Sequence, residues 1–81
     1  MKLTVHLFAV ARQWAGTETA ELDLPTPAKV ADVRQALLKQ LPKLAQFGPQ
    51  LRFAVNSAYA ADQTEIPPNA EVACIPPVSG G

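Results

Sequence analysis

The chain reads as an α+β domain in which one main helix crosses a mixed β-sheet, and three features of the sequence predict it. Residues 2–8 and 17–24 alternate apolar and polar positions, the two-residue period of strands with one buried face. Between 30 and 41 the apolar residues recur at helical spacing. Short apolar runs at 51–55 and 71–75, separated by turn-forming residues, supply further strands. Strands first, then a helix, then strands again is a one-domain α+β order.

In the first strand, Leu3, Val5 and Leu7 share one face and Thr4, His6 and Phe8 the other. Residues 9–15 lose the alternation and are good helix formers. Gly16 stands where a left-handed residue is wanted to end a helix. The second strand then places Ala20, Leu22 and Leu24 opposite Thr19, Glu21 and Asp23, so it can return antiparallel beside the first as a wide hairpin.

Pro25-Thr26-Pro27 breaks that strand, with Thr26 and Pro27 expected as the N-cap and first residue of the main helix. Val30, Val33, Leu37, Leu38 and Leu41 form its apolar stripe, leaving Lys29, Asp32, Arg34, Gln35, Lys39 and Gln40 for solvent. Pro42 closes the helix, and residues 43–50 read as an irregular connector with a turn at Gly48-Pro49. A right-handed crossover is expected to set the following strand, residues 51–55, parallel to a neighbour. Asn56-Ser57 marks a turn into a minor strand at 58–60. Residues 62–70 are turn-rich, and residues 71–75 form the last strand. The expected division is a folded body over 1–75 and a projecting tail over 76–81.

Composition narrows the function classes. At 48% hydrophobic and 17% charged, the 81 residues make a folded globule rather than a disordered segment. A domain of this size buries roughly 60 to 65% of its unfolded surface, which leaves little room for a deep catalytic cleft. Seven basic and seven acidic residues cancel, so neither nucleic acid nor a membrane is an expected partner. The start has no signal-peptide pattern, no apolar run approaches a membrane span, and the lone Cys74 fits a reducing compartment, so a cytoplasmic protein is expected. His6 is the single histidine, and no metal site is expected from it. Cys74, inside a strand, reads as a packing residue rather than a persulfide acceptor. Arg12 either pairs with an acid on a partner or is solvated.

The end of the chain is its most informative stretch: Pro76-Pro77-Val78-Ser79-Gly80-Gly81. The prolines lack the ladder N–H and end the strand. Gly80 and Gly81 carry no Cβ and can pass a channel too narrow for a side chain. Extended, residues 76–81 reach roughly 20 Å, enough to place a terminal carboxyl group in a partner's active site. The apolar run before the glycines is unlike a flexible linker. Ile75, Pro77 and Val78 extend apolar character beyond the sheet and, with Phe8, are the expected partner surface.

The segments Leu7-Phe8-Ala9-Val10-Ala11-Arg12 with Gly16, Ala54-Val55-Asn56, Glu71-Val72-Ala73 and the terminal Pro-Pro-Val-Ser-Gly-Gly resemble the small, sulfur-carrying subunits of molybdopterin synthases. The likeness runs over essentially the whole chain. It departs where Cys74 and Ile75 replace frequent aromatics and where Pro68-Asn69-Ala70 replaces an Asp-Gly-Asp turn. The resemblance implies a ubiquitin-like β-grasp fold and a subunit that is a co-substrate rather than an enzyme, with no bound cofactor.

It further implies that an ATP-using adenylyltransferase, similar to ubiquitin-activating enzymes, turns Gly81 into an acyl-adenylate. Sulfur from a persulfide donor then displaces AMP to leave a thiocarboxylate. Gly80 and Gly81 thereby hold the reactive end, and Ile75, Pro76, Pro77, Val78 and Ser79 lie at the partner interface. The large catalytic subunit would receive the tail, supply the acid–base residues and pass sulfur to a cyclic pyranopterin, in a heterotetramer with a small subunit at each end. Three alternatives stay open: a sulfur carrier of the thiamine thiazole type, a ubiquitin-like protein modifier, and an interaction module with an inert tail.

Overall fold

Residues 1–77 are described by a computed structural model. Strand β1 (Lys2–Leu7) buries Leu3, Val5 and Leu7 and leaves Lys2, Thr4 and His6 exposed, as its alternation requires. Helix α1 (Ala9–Ala15) ends on Gly16 at φ 74°, whose N–H donates to the Arg12 carbonyl at 3.0 Å. That left-handed conformation is the reason for glycine there. Strand β2 (Thr19–Asp23) returns antiparallel to β1, pairing Leu3 with Leu22 and Val5 with Ala20.

The main helix α2 spans Val30–Gln40, three residues later than the Thr26-Pro27 start expected from sequence. The loop that follows the sheet's short edge strand takes over the capping. Val30 N–H donates to the Thr64 carbonyl and Ala31 N–H to the Asp62 carbonyl, both at 3.0 Å, while Ile66 N–H donates to the Ala28 carbonyl at 2.8 Å. Those bonds hold Ala28, fully buried, outside the helix. The Asp32 carboxylate accepts from Lys29 N–H at 2.8 Å, an acidic group at the positive end of the helix dipole. Thr26 Oγ1 instead accepts from the Met1 amine.

Val30, Val33 and Leu37 are buried as expected, with Leu38 and Leu41 partly buried beside them. Residues 43–50, expected to be irregular, belong to a 3₁₀ helix (Pro42–Gln50). Its ordering comes from packing, because Leu44 is fully buried. Gly48 sits so close to α2 that a Cβ there would lie 2.8 Å from Leu38 Cδ1.

Strands β3 (Arg52–Val55), β4 (Ala58–Ala60) and β5 (Val72–Ile75) complete a five-stranded sheet of order β2-β1-β5-β3-β4. Asn56 and Ser57 both have positive φ, the geometry of a tight hairpin turn between β3 and β4. The expected parallel placement of the third strand is not what forms. β3 is antiparallel to both of its neighbours, and the parallel pair is β1 with β5. The last strand inserts at the centre, taking Leu7 and Phe53 on either side of Cys74. All three belong to one buried cluster that includes Val33 and Leu37 of α2 and Leu44 of the 3₁₀ helix. Burial at about 25 cal/mol per Å² of apolar surface makes this central slot the firmest anchor available to the chain's end.

Candidate partner-docking site

β5 leads directly to the C-terminal segment. Ile75 is half-buried and opposite Arg52 of β3, Pro76 is buried, and Pro77 is exposed. Sequence placed Pro76 in the projecting tail, yet it packs onto the body, and exposure begins one residue later. Val78, Ser79, Gly80 and Gly81 lie outside the described residues.

Ile75, Pro76 and Pro77 line an apolar groove of about 520 Å³ together with Ala9, Val10, Trp14 and Phe47. None of the seven carries a charge or a side-chain hydrogen-bonding group except the Trp14 indole. Trp14 and Phe47 stack face to face, with ring centroids 4.3 Å apart and planes within 3°. The stack joins α1 to the 3₁₀ helix and so fixes the groove's floor. The entrance into α1 is made by Ala9 at φ 51°, an unusual conformation for a residue with a Cβ.

Phe8, expected to join the partner surface if its face of the sheet is exposed, is 51% exposed. It borders a separate depression with His6, Ala54, Ser57, Glu71 and Ala73. Its N–H donates to the Cys74 carbonyl at 3.2 Å, so its backbone is tied to β5. The depression that Phe8 borders shares no lining residue with the groove beside Ile75, Pro76 and Pro77.

Sequence reasoning missed Val10, Trp14 and Phe47. Trp14 sits in a helix of seven residues, too short to show a periodic stripe, and Phe47 in a segment whose Pro42, Gly48 and Pro49 make it read as irregular. The available signal was the pair of large aromatics in otherwise weakly patterned stretches.

A second groove, of about 620 Å³, is lined by Arg34, Leu51, Arg52, Tyr59 and Asp62 among others. Arg34 was expected to face solvent. Instead its Nη1 donates to the carbonyls of Gly48 and Leu51, and its Nη2 pairs with Asp62 at 2.9 Å. Arg52 lies over the Tyr59 ring at 5.3 Å from its centroid.

The remaining candidates behave as packing or surface groups. Cys74 is fully buried, and burial pushes its thiol up to about 11 against the opposing pull of Arg34. A thiol so protonated is a poor nucleophile at neutral pH. Arg12 meets Glu18 at 3.5 Å with both side chains largely exposed, a weak surface pair. Among the described residues no three His, Cys, Asp or Glu side chains converge on a metal-sized site, and no helix is long and apolar enough to cross a membrane.

Comparison with known proteins adds three findings. The ThiS family model matches residues 5–81. The molybdopterin synthase sulfur carrier subunits of Caenorhabditis elegans and Arabidopsis thaliana are each 30% identical to this chain over its whole length, covering 99% and 84% of their own. The crystal structure of H. volcanii small archaeal modifier protein 1 superimposes with a TM-score of 0.84 at 28% identity, covering 95% of this chain and 98% of that one. The β-grasp expectation holds: a mixed five-stranded sheet crossed by a helix is the shared architecture.

Proposed function

The chain belongs to the ThiS family, and from that premise we propose that it is the sulfur-carrying small subunit of a molybdopterin synthase. The observation that carries this reading is full-length similarity to relatives named as such subunits, together with the Gly80-Gly81 end that the chemistry needs.

A carboxylate is ionised at neutral pH and is a poor electrophile, so Gly81 must first be activated. An ATP-using adenylyltransferase joins it to AMP. The outer sulfur of a persulfide donor attacks the acyl-adenylate and releases AMP, and a thiol then cleaves the resulting acyl disulfide, leaving the thiocarboxylate on Gly81 and a disulfide on the donor side. Sulfur is soft and polarizable, so this terminus attacks where the carboxylate would not. Inside the large subunit it meets a cyclic pyranopterin, and two transfers build the dithiolene. Holding the donor sulfur on a confined tail replaces a diffusing, labile sulfur species with a positioned one.

The division of labour follows from this chain's chemistry and family likeness. Its one thiol, Cys74, is buried and unreactive and its one histidine is exposed, and the family likeness gives the acids and bases to the large subunit. The chain acts as co-substrate in the cytoplasm, within a heterotetramer that carries one small subunit at each end. The central position of β5 supports the reading mechanically, because a segment pulled into a partner is anchored between two strands rather than at an edge.

Deleting Gly81 tests it. The truncated chain should fold normally and support no molybdopterin formation in a system with ATP, the adenylyltransferase, a sulfur source and the large subunit. Product formation by the truncated chain would refute the proposal.

Similarity to a protein named a modifier favours a second reading, in which Gly81 is joined to lysines of other proteins. Conjugates that survive a denaturing gel would support it. A thiazole-type sulfur carrier is separated by which synthase copurifies with the chain.

A further inference from the structure

We propose that the groove between Trp14–Phe47 and Ile75–Pro77 receives an apolar side chain from the rim of the large synthase subunit, making it a second docking point beside the tail. The inference rests on the functional reading above.

Reach identifies the occupant. Val78, Ser79, Gly80 and Gly81 follow Pro77, and four extended residues span roughly 13 Å. A partner that encloses the Gly81 carboxyl group must bring the mouth of its pocket to within that distance of Pro77. The groove is lined by Pro77 itself, so it lies within reach of the rim of that pocket.

The lining sets the chemistry of what arrives. Val10 is 37% exposed at the lip, and the walls are apolar throughout apart from the indole N–H. A charged or strongly polar visitor would lose its hydration without gaining a partner. An aliphatic or aromatic side chain would fill the volume and cover the Trp14–Phe47 stack. Aromatic floors of this kind are where binding energy concentrates at protein interfaces. The stack spans α1 and the 3₁₀ helix, so its shape is set before the partner arrives, and little ordering accompanies docking.

Trp14 is the single tryptophan, which gives a selective probe. The full chain labelled with 5-fluorotryptophan should show one fluorine resonance that shifts when the purified large subunit is added. By calorimetric titration, Val10→Asp should weaken binding of that subunit at least about tenfold. Gln35→Asp, which adds the same charge on the exposed side of α2, should bind like wild type.

A fluorine resonance unmoved at saturation, or wild-type affinity for Val10→Asp, would overturn the groove as a docking point. The intact mass of the unsubstituted chain after sulfur loading separates the two claims. Sulfur uptake without a Trp14 response defeats the groove alone. No sulfur uptake defeats the functional reading and the occupant with it.

Discussion

The Arg34 guanidinium pairs with the Asp62 carboxylate at 2.9 Å while its other terminal nitrogen donates to the carbonyls of Gly48 and Leu51. One side chain of α2 thus ties together the 3₁₀ helix, the start of β3 and the loop after β4. The arginine's side chain retains 18% exposure and that of Asp62 49%, so the carbonyl contacts are the better shielded half. Its guanidinium also lies 5.0 Å from the centroid of the buried Phe53 ring.

Arg34→Met should therefore destabilise the fold by about 2–3 kcal/mol, since two carbonyls lose a charged donor. Asp62→Asn should cost under about 1 kcal/mol, because a half-exposed ion pair is screened by water. Urea denaturation of both variants checks the ordering. Equal losses, or a larger loss at Asp62, would mean that the ion pair rather than the carbonyl contacts secures the clamp.

Backbone conformation gives a pair of predictions of opposite character. Gly16 sits at φ 74° with open space where a methyl group would stand, so Gly16→Ala should cost about 1 kcal/mol from conformation alone. Ala9 has φ 51°, and Ala9→Gly should be neutral or slightly stabilising, as relief of that strain offsets the added freedom of the unfolded chain. Thermal melts of the two variants moving in the same direction by equal amounts would contradict the assignment.

Cys74 predicts a pH effect with a definite sign. Its thiol is pushed up to about 11 in the folded chain from an ordinary value of 9.0. The folded state therefore holds the proton more tightly than the unfolded state. The stability is fully present below pH 9 and is lost as pH rises towards 11, at a limiting slope of about 1.4 kcal/mol per pH unit. Denaturation of wild type and Cys74→Ala across that window isolates the contribution, and parallel curves would contradict it. At pH 8 a thiol reagent should label the unfolded chain and spare the folded one.

Much of the architecture was legible because most elements carry a local signal. The two-residue alternation placed β1 and β2, Gly16 marked the end of α1, and the 3.6-residue stripe located α2. What escaped depends on contacts between distant segments. The start of α2 moved from Thr26-Pro27 to Val30 because loop carbonyls at Asp62 and Thr64 capture its first N–H groups. Arg34 looked like one more solvent-facing charge, and nothing within α2 reveals the carbonyls waiting at Gly48 and Leu51. At the candidate site, Ile75 and Pro77 were singled out from sequence because they lie next to the tail and extend apolar character beyond the sheet. Trp14 and Phe47 are 33 residues apart in sequence, and only the fold brings their rings together.

The lack of a side chain at Gly80 should matter for transfer and not for folding. Gly80→Leu should leave the melting temperature of the domain unchanged and reduce molybdopterin formation by the large subunit at least about a hundredfold, in line with misplacement of a reacting group by an ångström or more. Unchanged turnover would show that the receiving channel is wider than the functional reading requires.

Intact-mass spectrometry of the chain, after incubation with ATP, the adenylyltransferase, a persulfide sulfur source and a thiol reductant, addresses the carrier role most directly. The expected product is a chain ending at Gly81 in which one sulfur replaces one oxygen, appearing only when ATP is present. A terminus that stays a carboxylate under those conditions, or a mature protein that continues past Gly81, would contradict it.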